Sequence, residues 1–378
     1  EQIFVALCSG ACLIMRGADA WSPEELLRTI QTKAVTVANF PTEYWNQIVD
    51  YWVNSSQQTR QIALRLIIVG GDKFTTKSLM TLSNATLKHI RLLNAYGPTE
   101  TVITSTLYEV SSKSFAFKNI PIGKEIGARS VFVLDSFGNA VPVGVYGELF
   151  IGGQLLARAY QNHPSLTAEK FVPDPFTRLP GSRMYQTGDK ARILPDGEIE
   201  FSGRIDQQVK VRGYRIELAE VEMALQGFPS VKNGVVQIST DDGHGKTVVA
   251  FIVSEHGQMI ELSKLQLHLK QNLPEYAIPS HFLQLESMPM TVNGKVDRSS
   301  INIKHGKLLQ NHNEYVAPQN EIEVKVARIF EQVLNISNVG IKDSFFSLGG
   351  HSLSGMQVVT RIRDAFGVDL PLSTIYQN

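Results

Sequence analysis

The chain has 378 residues, too many for one ordinary core and suited to two or three domains. Hydrophobic residues make up 43% and charged residues 19%, the balance of a globular protein that folds in water. Thirty-six basic residues offset thirty-six acidic ones, which excludes a general pull toward nucleic acid or an anionic membrane. The first apolar run, 3–15, carries both cysteines, Cys8 and Cys12. They share a face if the run is helical, and they are expected to be buried reduced thiols. None of the nine histidines pairs with them at a ligand spacing, so no structural metal is expected. The chain starts abruptly at Glu1-Gln2-Ile3-Phe4, with no charged n-region and no run long enough to span a bilayer, and reads as a piece of something longer. Reduced thiols make a cytoplasmic location the expectation.

Up to about residue 205, apolar strand-like runs alternate with helix-like stretches, the pattern of α/β layers. Ser22-Pro23-Glu24-Glu25 is a helix start, with an N-cap serine, proline at the first position and early carboxylates. Strands are predicted at 64–69, closed by Gly70-Gly71, and at 131–134, 147–151 and 198–201. The pattern then changes. A helix is expected over 217–225 with Leu218, Val221 and Leu225 on one stripe, strands near Val235 and over 248–253, and a helix over 262–273. Residues 306–318 read as a polar linker. Beyond it Ile322, Val326, Ile329, Phe330 and Val333 fall on one helical face, and a further helix follows Ser352 with Leu353, Met356, Val359, Ile362 and Phe366 inward.

Chemistry-bearing motifs punctuate this pattern. Ser352 ends Asp343-Ser344-Phe345-Phe346-Ser347-Leu348-Gly349-Gly350-His351-Ser352. By itself it is explained as a helix N-cap. A serine there also suits a phosphodiester, which would face backbone N–H groups and the positive end of the helix dipole. Upstream stand Asn94-Ala95-Tyr96-Gly97-Pro98-Thr99-Glu100, then Tyr185-Gln186-Thr187-Gly188-Asp189, then the charge-rich run from Gly203-Arg204-Ile205-Asp206 to Glu217, and last Asn293-Gly294-Lys295. Each is explicable singly as turn chemistry or a solvated strand face. The first also offers a stacking ring, a hydroxyl donor and a carboxylate suited to Mg²⁺ within a few residues.

Taken together, and with Gly147-Glu148-Leu149, Ala157-Arg158-Ala159-Tyr160 and Leu166-Thr167-Ala168-Glu169-Lys170-Phe171, these runs resemble the adenylation domains of nonribosomal peptide synthetases, members of the adenylate-forming superfamily. The run ending at Ser352 resembles the 4′-phosphopantetheine attachment motif of peptidyl carrier proteins. The resemblance covers essentially the whole chain. It implies a multidomain protein: part of the α/β adenylate-forming large subdomain over 1–205, a small α+β C-terminal subdomain over 206–305, the linker 306–318, and a helical-bundle carrier domain over 319–378 with its last helix cut short.

By that resemblance the chain takes part in ATP-dependent activation of an amino acid or related carboxylic acid, and in its transfer as a thioester to phosphopantetheine on the carrier. Tyr96 would stack on adenine, with Asn94, Gly71 and Asp72 lining the base. Asp189 would hold the ribose hydroxyls, with Arg204 beside ribose and phosphate. Thr99 would contact the α-phosphate, Glu100 would hold Mg²⁺, and Lys295 would bridge the substrate carboxylate and the adenylate phosphate. Asp206 falls at the hinge between large and small subdomains. Glu1, Asn39, Ile68, Gly70, Ala95, Ile103 and Thr104 would line the acid pocket. The family's Ser/Thr/Gly-rich phosphate loop and the aspartate that grips a substrate amino group are absent from these residues, so the natural chain is expected to continue at both ends. Implied partners are the acid, a phosphopantetheinyl transferase and neighbouring condensation or other synthase domains, with no nucleic acid and no membrane. Two rivals stand beside this reading: a fatty- or aryl-acid loading ligase, and a carrier scaffold with an inactive adenylation domain.

Overall fold

The computed structural model describes residues 2–15, 21–54, 62–74, 79, 90–117, 119–206, 208–211, 214–241, 245–255, 260–291, 296–302, 306–309, 316–334, 336–345, 348, 350, 352–368, 370–371 and 373–376. The chain divides into two compact units, Glu1–Met15 with Pro23–Gly213 and Arg16–Ser22 with Tyr214–Asn378.

The first unit opens with α1 (Gln2–Cys8), α2 (Pro23–Thr32), β1 (Val37–Pro41) and α3 (Thr42–Asn54). In α2, Leu26, Leu27 and Ile30 are buried, as the proline-led start implies. In α3, Trp45, Ile48, Val49 and Trp52 recur at 3- and 4-residue intervals and are almost wholly buried. The cysteine expectation is corrected here: α1 stops at Cys8, Cys12 lies beyond it, and both thiols are exposed. No residue of α1 is buried, so its apolar side chains have no core to carry the thiols into.

Five strands follow as one sheet in the order β1, β2 (Leu66–Gly70), β3 (Arg91–Tyr96), β4 (Thr106–Glu109), β5 (Lys124–Glu125). The first three run parallel and the last two are antiparallel additions. A second, antiparallel sheet is built from β6 (Arg129–Leu134), β7 (Gly147–Gly153), β8 (Phe171–Pro173), β9 (Arg183–Ile193) and β10 (Ile199–Arg204), with α4 (Pro164–Lys170) leading into β8. Its core is Ile122, Val133, Leu149, Ala191 and Ile199, with Tyr96 and Phe201 packed against it. The chain of this unit then reaches β11 (Gln208–Val211).

The second unit holds β12 (Tyr214–Glu217), α5 (Leu218–Gln226), β13 (Val231–Asp241), β14 (Gly245–Ser254), α6 (Leu262–Asn272), β15 (His281–Gln284) and β16 (Lys307–Leu308). Leu218, Val221 and Leu225 are the buried stripe of α5. β14 is central in the order β13-β14-β15-β16, and residues 248–253 are all buried, which accounts for their unbroken apolar run. Residues 306–309 differ from the linker expected of them: Lys307 and Leu308 pair with β15, because that sheet edge offers backbone groups to the returning chain.

The last helices are α7 (Glu321–Leu334), α8 (Ser352–Phe366) and α9 (Ser373–Tyr376). Ile329, Val333, Phe345, Val358, Ile362 and Ile375 form their core. Ile322, expected inward, is 64% exposed, and Ala327 takes a buried place one position round from Val326. No helix among the described residues is long and apolar enough to cross a membrane.

Candidate nucleotide and acid site

The β3 strand ends in Tyr96, and the chain turns through Gly97-Pro98 into a tight 3₁₀ turn, Thr99–Thr101. The turn is followed by Val102 and Ile103 in the left-handed region, φ 59° and 70°. Ser105 N–H donates to the Tyr96 carbonyl at 2.7 Å, closing the excursion. Gly97 is fixed by a close approach, since a Cβ there would lie 1.6 Å from the Ile103 carbonyl oxygen. Arg129 on β6 spreads its guanidinium over this excursion. Its Nε donates to Thr101 O at 3.2 Å, and its Nη2 to Thr101 O at 3.0 Å and Val102 O at 3.1 Å.

Three of the expected nucleotide residues meet from distant segments. The Tyr96 hydroxyl donates to Asp189 Oδ2, and Arg204 Nη1 donates to Asp189 Oδ1 at 2.8 Å. Arg204 also forks onto Asp206, with Nε and Nη2 each 2.6 Å from one carboxylate oxygen. The Tyr96 ring lies against Phe201, with the Lys210 ammonium 6.0 Å from its centroid. Burial raises the Tyr96 phenol pKa well above its ordinary value, and the Asp189 charge adds to this. Burial likewise raises Asp189, against the opposing pull of Arg204, Tyr96 and Lys210. At Asp206 burial acts upward, but the bonds from Arg204 and the Gln208 N–H outweigh it and leave the carboxyl below its usual range.

Glu100, 6% exposed, sits in the 3₁₀ turn beside Thr99. Its Oε1 accepts the Tyr160 hydroxyl at 2.6 Å, and its backbone carbonyl accepts Ala157 N–H at 2.8 Å. Magnesium bound with a nucleotide needs one or two carboxylates, because phosphates and water complete its octahedron. A hard carboxylate oxygen next to a hydroxyl-bearing turn fits that demand. Among the described residues no group of three His, Cys, Asp or Glu side chains forms a metal cluster.

The expected acid-pocket residues Asn39, Ile68, Gly70 and Ala95 share one face of the parallel strands. Asn39 pairs with Ile68 and Gly70 with Ala95, while Phe40, Val69 and Asn94 alternate onto the buried opposite face. The Asn94 amide therefore donates to the Pro121 carbonyl at 2.7 Å, on the side of the sheet away from Ala95. A Cβ at Gly70 would lie 2.6 Å from the Ala95 carbonyl, so close strand approach is itself a reason for glycine there. Ile103 is 47% exposed and Thr104 is buried. Gly71 follows β2 at φ 93°, and the Asp72 carbonyl accepts the Thr42 hydroxyl at 3.0 Å. Glu1, Lys295 and His351 lie outside the described residues, and Ser352 is the first residue of α8, a position where backbone N–H groups suit a phosphodiester.

Several contacts around these residues had no sequence signal of their own. Glu148 accepts Gly188 N–H at 3.0 Å and the Gln186 amide at 2.9 Å, and Thr187 Oγ1 donates to Leu149 O at 2.7 Å. Together they fix the turn that presents Asp189. Tyr160, Arg129 and Glu148 all stand in runs whose spacing suggests no chemistry.

Three stretches of the chain match known families. Residues 1–161 match the AMP-binding enzyme family, 220–295 the AMP-binding enzyme C-terminal domain and 324–378 the phosphopantetheine attachment site family. Gramicidin S synthase 2 of Brevibacillus brevis is 40% identical over 379 residues, covering 100% of this chain and 8% of its own. Tyrocidine synthase 3 of Brevibacillus parabrevis is 39% identical over 376 residues, covering 99% of this chain and 6% of that protein. The chain thus spans a small fraction of these relatives. Among solved structures, a holo NRPS protein containing adenylation and PCP domains, bound to a vinylsulfonamide inhibitor, superposes with TM-score 0.76 at 25% identity, over 96% of this chain and 58% of that one. A second structure of the same kind gives TM-score 0.65 at 27% identity, over 77% and 56%.

Proposed function

We propose that this chain, which joins part of a nonribosomal-peptide-synthetase adenylation domain and its C-terminal domain to a phosphopantetheine carrier domain, serves a module that adenylates an amino acid or related carboxylic acid and loads it on Ser352. The observation that carries the reading is the meeting of Tyr96, Asp189 and Arg204, which come from β3, β9 and β10. In this reading the Tyr96 ring supports adenine, and Asp189 accepts from the ribose hydroxyls while Arg204 keeps it ionised. Thr99 contacts the α-phosphate. By the resemblance Lys295 would bridge the substrate carboxylate and that phosphate, offsetting charge as the carboxylate oxygen attacks phosphorus and pyrophosphate leaves. The attacking group is already ionised at neutral pH, so no general base is required. Glu100 would hold Mg²⁺, which supplies charge neutralisation to the leaving pyrophosphate. The phosphopantetheine arm on Ser352 supplies the thiol that accepts the acyl group. Asn39, Ile68, Gly70, Ala95, Ile103 and Thr104 line the acid pocket in this reading, and by the resemblance Glu1 would join them. A phosphopantetheinyl transferase installs the arm, neighbouring condensation or other synthase domains consume its cargo, and the cytoplasm supplies the ATP.

The test is acid-dependent ATP–pyrophosphate exchange by the intact protein across amino, hydroxy and fatty acids. Exchange with at least one amino or related acid is expected, and exchange with none overturns the enzyme reading. Lys295→Ala should lower exchange about 100-fold or more, and Ser352→Ala should spare exchange while abolishing the mass of arm and acyl group on the carrier.

A further inference from the structure

We propose that Tyr160 is a positioning residue for Glu100, setting the direction in which that carboxylate meets a nucleotide-bound divalent cation; the inference rests on the adenylation reading above. The phenol donates to Glu100 Oε1 at 2.6 Å, a charge-assisted bond to a side chain that is 6% exposed. Tyr160 is itself held at several points. Its backbone N–H donates to Thr167 Oγ1 at 3.0 Å, its ring meets Phe171 edge-on at 5.7 Å, and its hydroxyl lies 3.4 Å from that of Tyr185. The stretch of chain leading to it is anchored as well. Arg183 donates to Arg158 O at 2.9 Å and Ala157 O at 3.2 Å, with its guanidinium 5.2 Å from the centre of the Phe171 ring.

Glu100 is thus gripped twice by one segment, at its backbone carbonyl by Ala157 N–H and at its side chain by the Tyr160 hydroxyl. A carboxylate with one oxygen committed to a fixed donor offers its other oxygen along one direction. That is the geometry of a one-oxygen ligand, which suits the strict octahedron of Mg²⁺ better than the looser sphere of larger ions. Removing the phenol oxygen leaves the carboxylate able to swing and to offer both oxygens.

The test reads binding without turnover. ATP affinity of the intact protein is measured by calorimetry with chelator and across a Mg²⁺ titration. In Tyr160→Phe the Mg²⁺ concentration for half-maximal tightening should rise about 5-fold, the weight of one hydrogen bond, while ATP affinity in chelator stays unchanged. Mn²⁺ should narrow the gap. An equal fall in both arms would mean a structural role and overturn the proposal, as would an unaltered Mg²⁺ requirement. Should Tyr160→Phe fail to fold, Thr167→Ala loosens the same ring with its hydroxyl in place, and a rise of about 2-fold is expected; no rise overturns the idea. A wild-type protein that binds ATP without any Mg²⁺ dependence would instead sink the adenylation reading itself.

Discussion

Asp189 shows how much one buried carboxylate depends on its neighbours. It is 5% exposed, and its two oxygens are held by Tyr96 and Arg204. Its pKa is raised in the fold, so it contributes stability below its unfolded value near 4 that is lost as pH climbs through the raised one. Arg204 limits that loss. In Arg204→Met the buried charge stands less compensated, and the protein should lose about 3 kcal/mol near pH 8. The deficit should shrink toward pH 4 as Asp189 takes up a proton, and Asp189→Asn in the same background should recover most of it. Thermal unfolding across pH checks this, and a pH-independent deficit would contradict it. Tyr96, Asp189 and Arg204 were legible in the sequence because each sits in a motif that names residue type and order. Tyr160 was not, since its bond to Glu100 joins positions 60 apart and leaves no local pattern.

The buried stripe of α5 was readable from spacing, α2 from its proline-led start, and β14 from an unbroken apolar run buried on both faces. Spacing failed where burial depends on what lies opposite. α1 has the apolar content of a core helix but no buried residue, and β16 is two residues long, below any periodic signal. At the same scale, Arg129 ties β6 to the turn after β3 through the Thr101 and Val102 carbonyls. Arg129→Ala should release this turn, lowering stability by about 2 kcal/mol through charge-assisted bonds lost. In the proposed site it should raise the KM for the acid several-fold and the KM for ATP by less, because Glu100 stays tied by Tyr160 and Ala157, measured by exchange kinetics. Equal rises in both would assign Arg129 to folding alone.

For the molecule as a whole, the composition indicated several domains, and the contacts divide the chain into two units meeting in sequence at Gly213 and Tyr214. Asp206, the expected hinge, lies seven residues before that division and is held by Arg204 and by Gln208 N–H. Proline there fixes φ and removes an N–H, so Asp206→Pro should freeze a rotation; Arg204 loses its fork onto Asp206 but keeps its bond to Asp189. Pyrophosphate exchange should stay within about 2-fold while acyl loading on the carrier, read by intact mass, falls about 10-fold or more. Equal losses in both half-reactions would remove Asp206 from the hinge.

The close passage at Gly97 reaches further than the turn it shapes. With the Ile103 carbonyl lying where a Cβ of residue 97 would stand, and Ser105 bonded back to Tyr96, the segment between them is a loop of fixed length. Insertions or deletions there would pull the Tyr96 ring out of register with Asp189. If Ile103 and Thr104 line the acid pocket as proposed, exchanging their side chains should retune acid preference, whereas chimeras that graft a longer loop should forfeit the nucleotide along with the new acid.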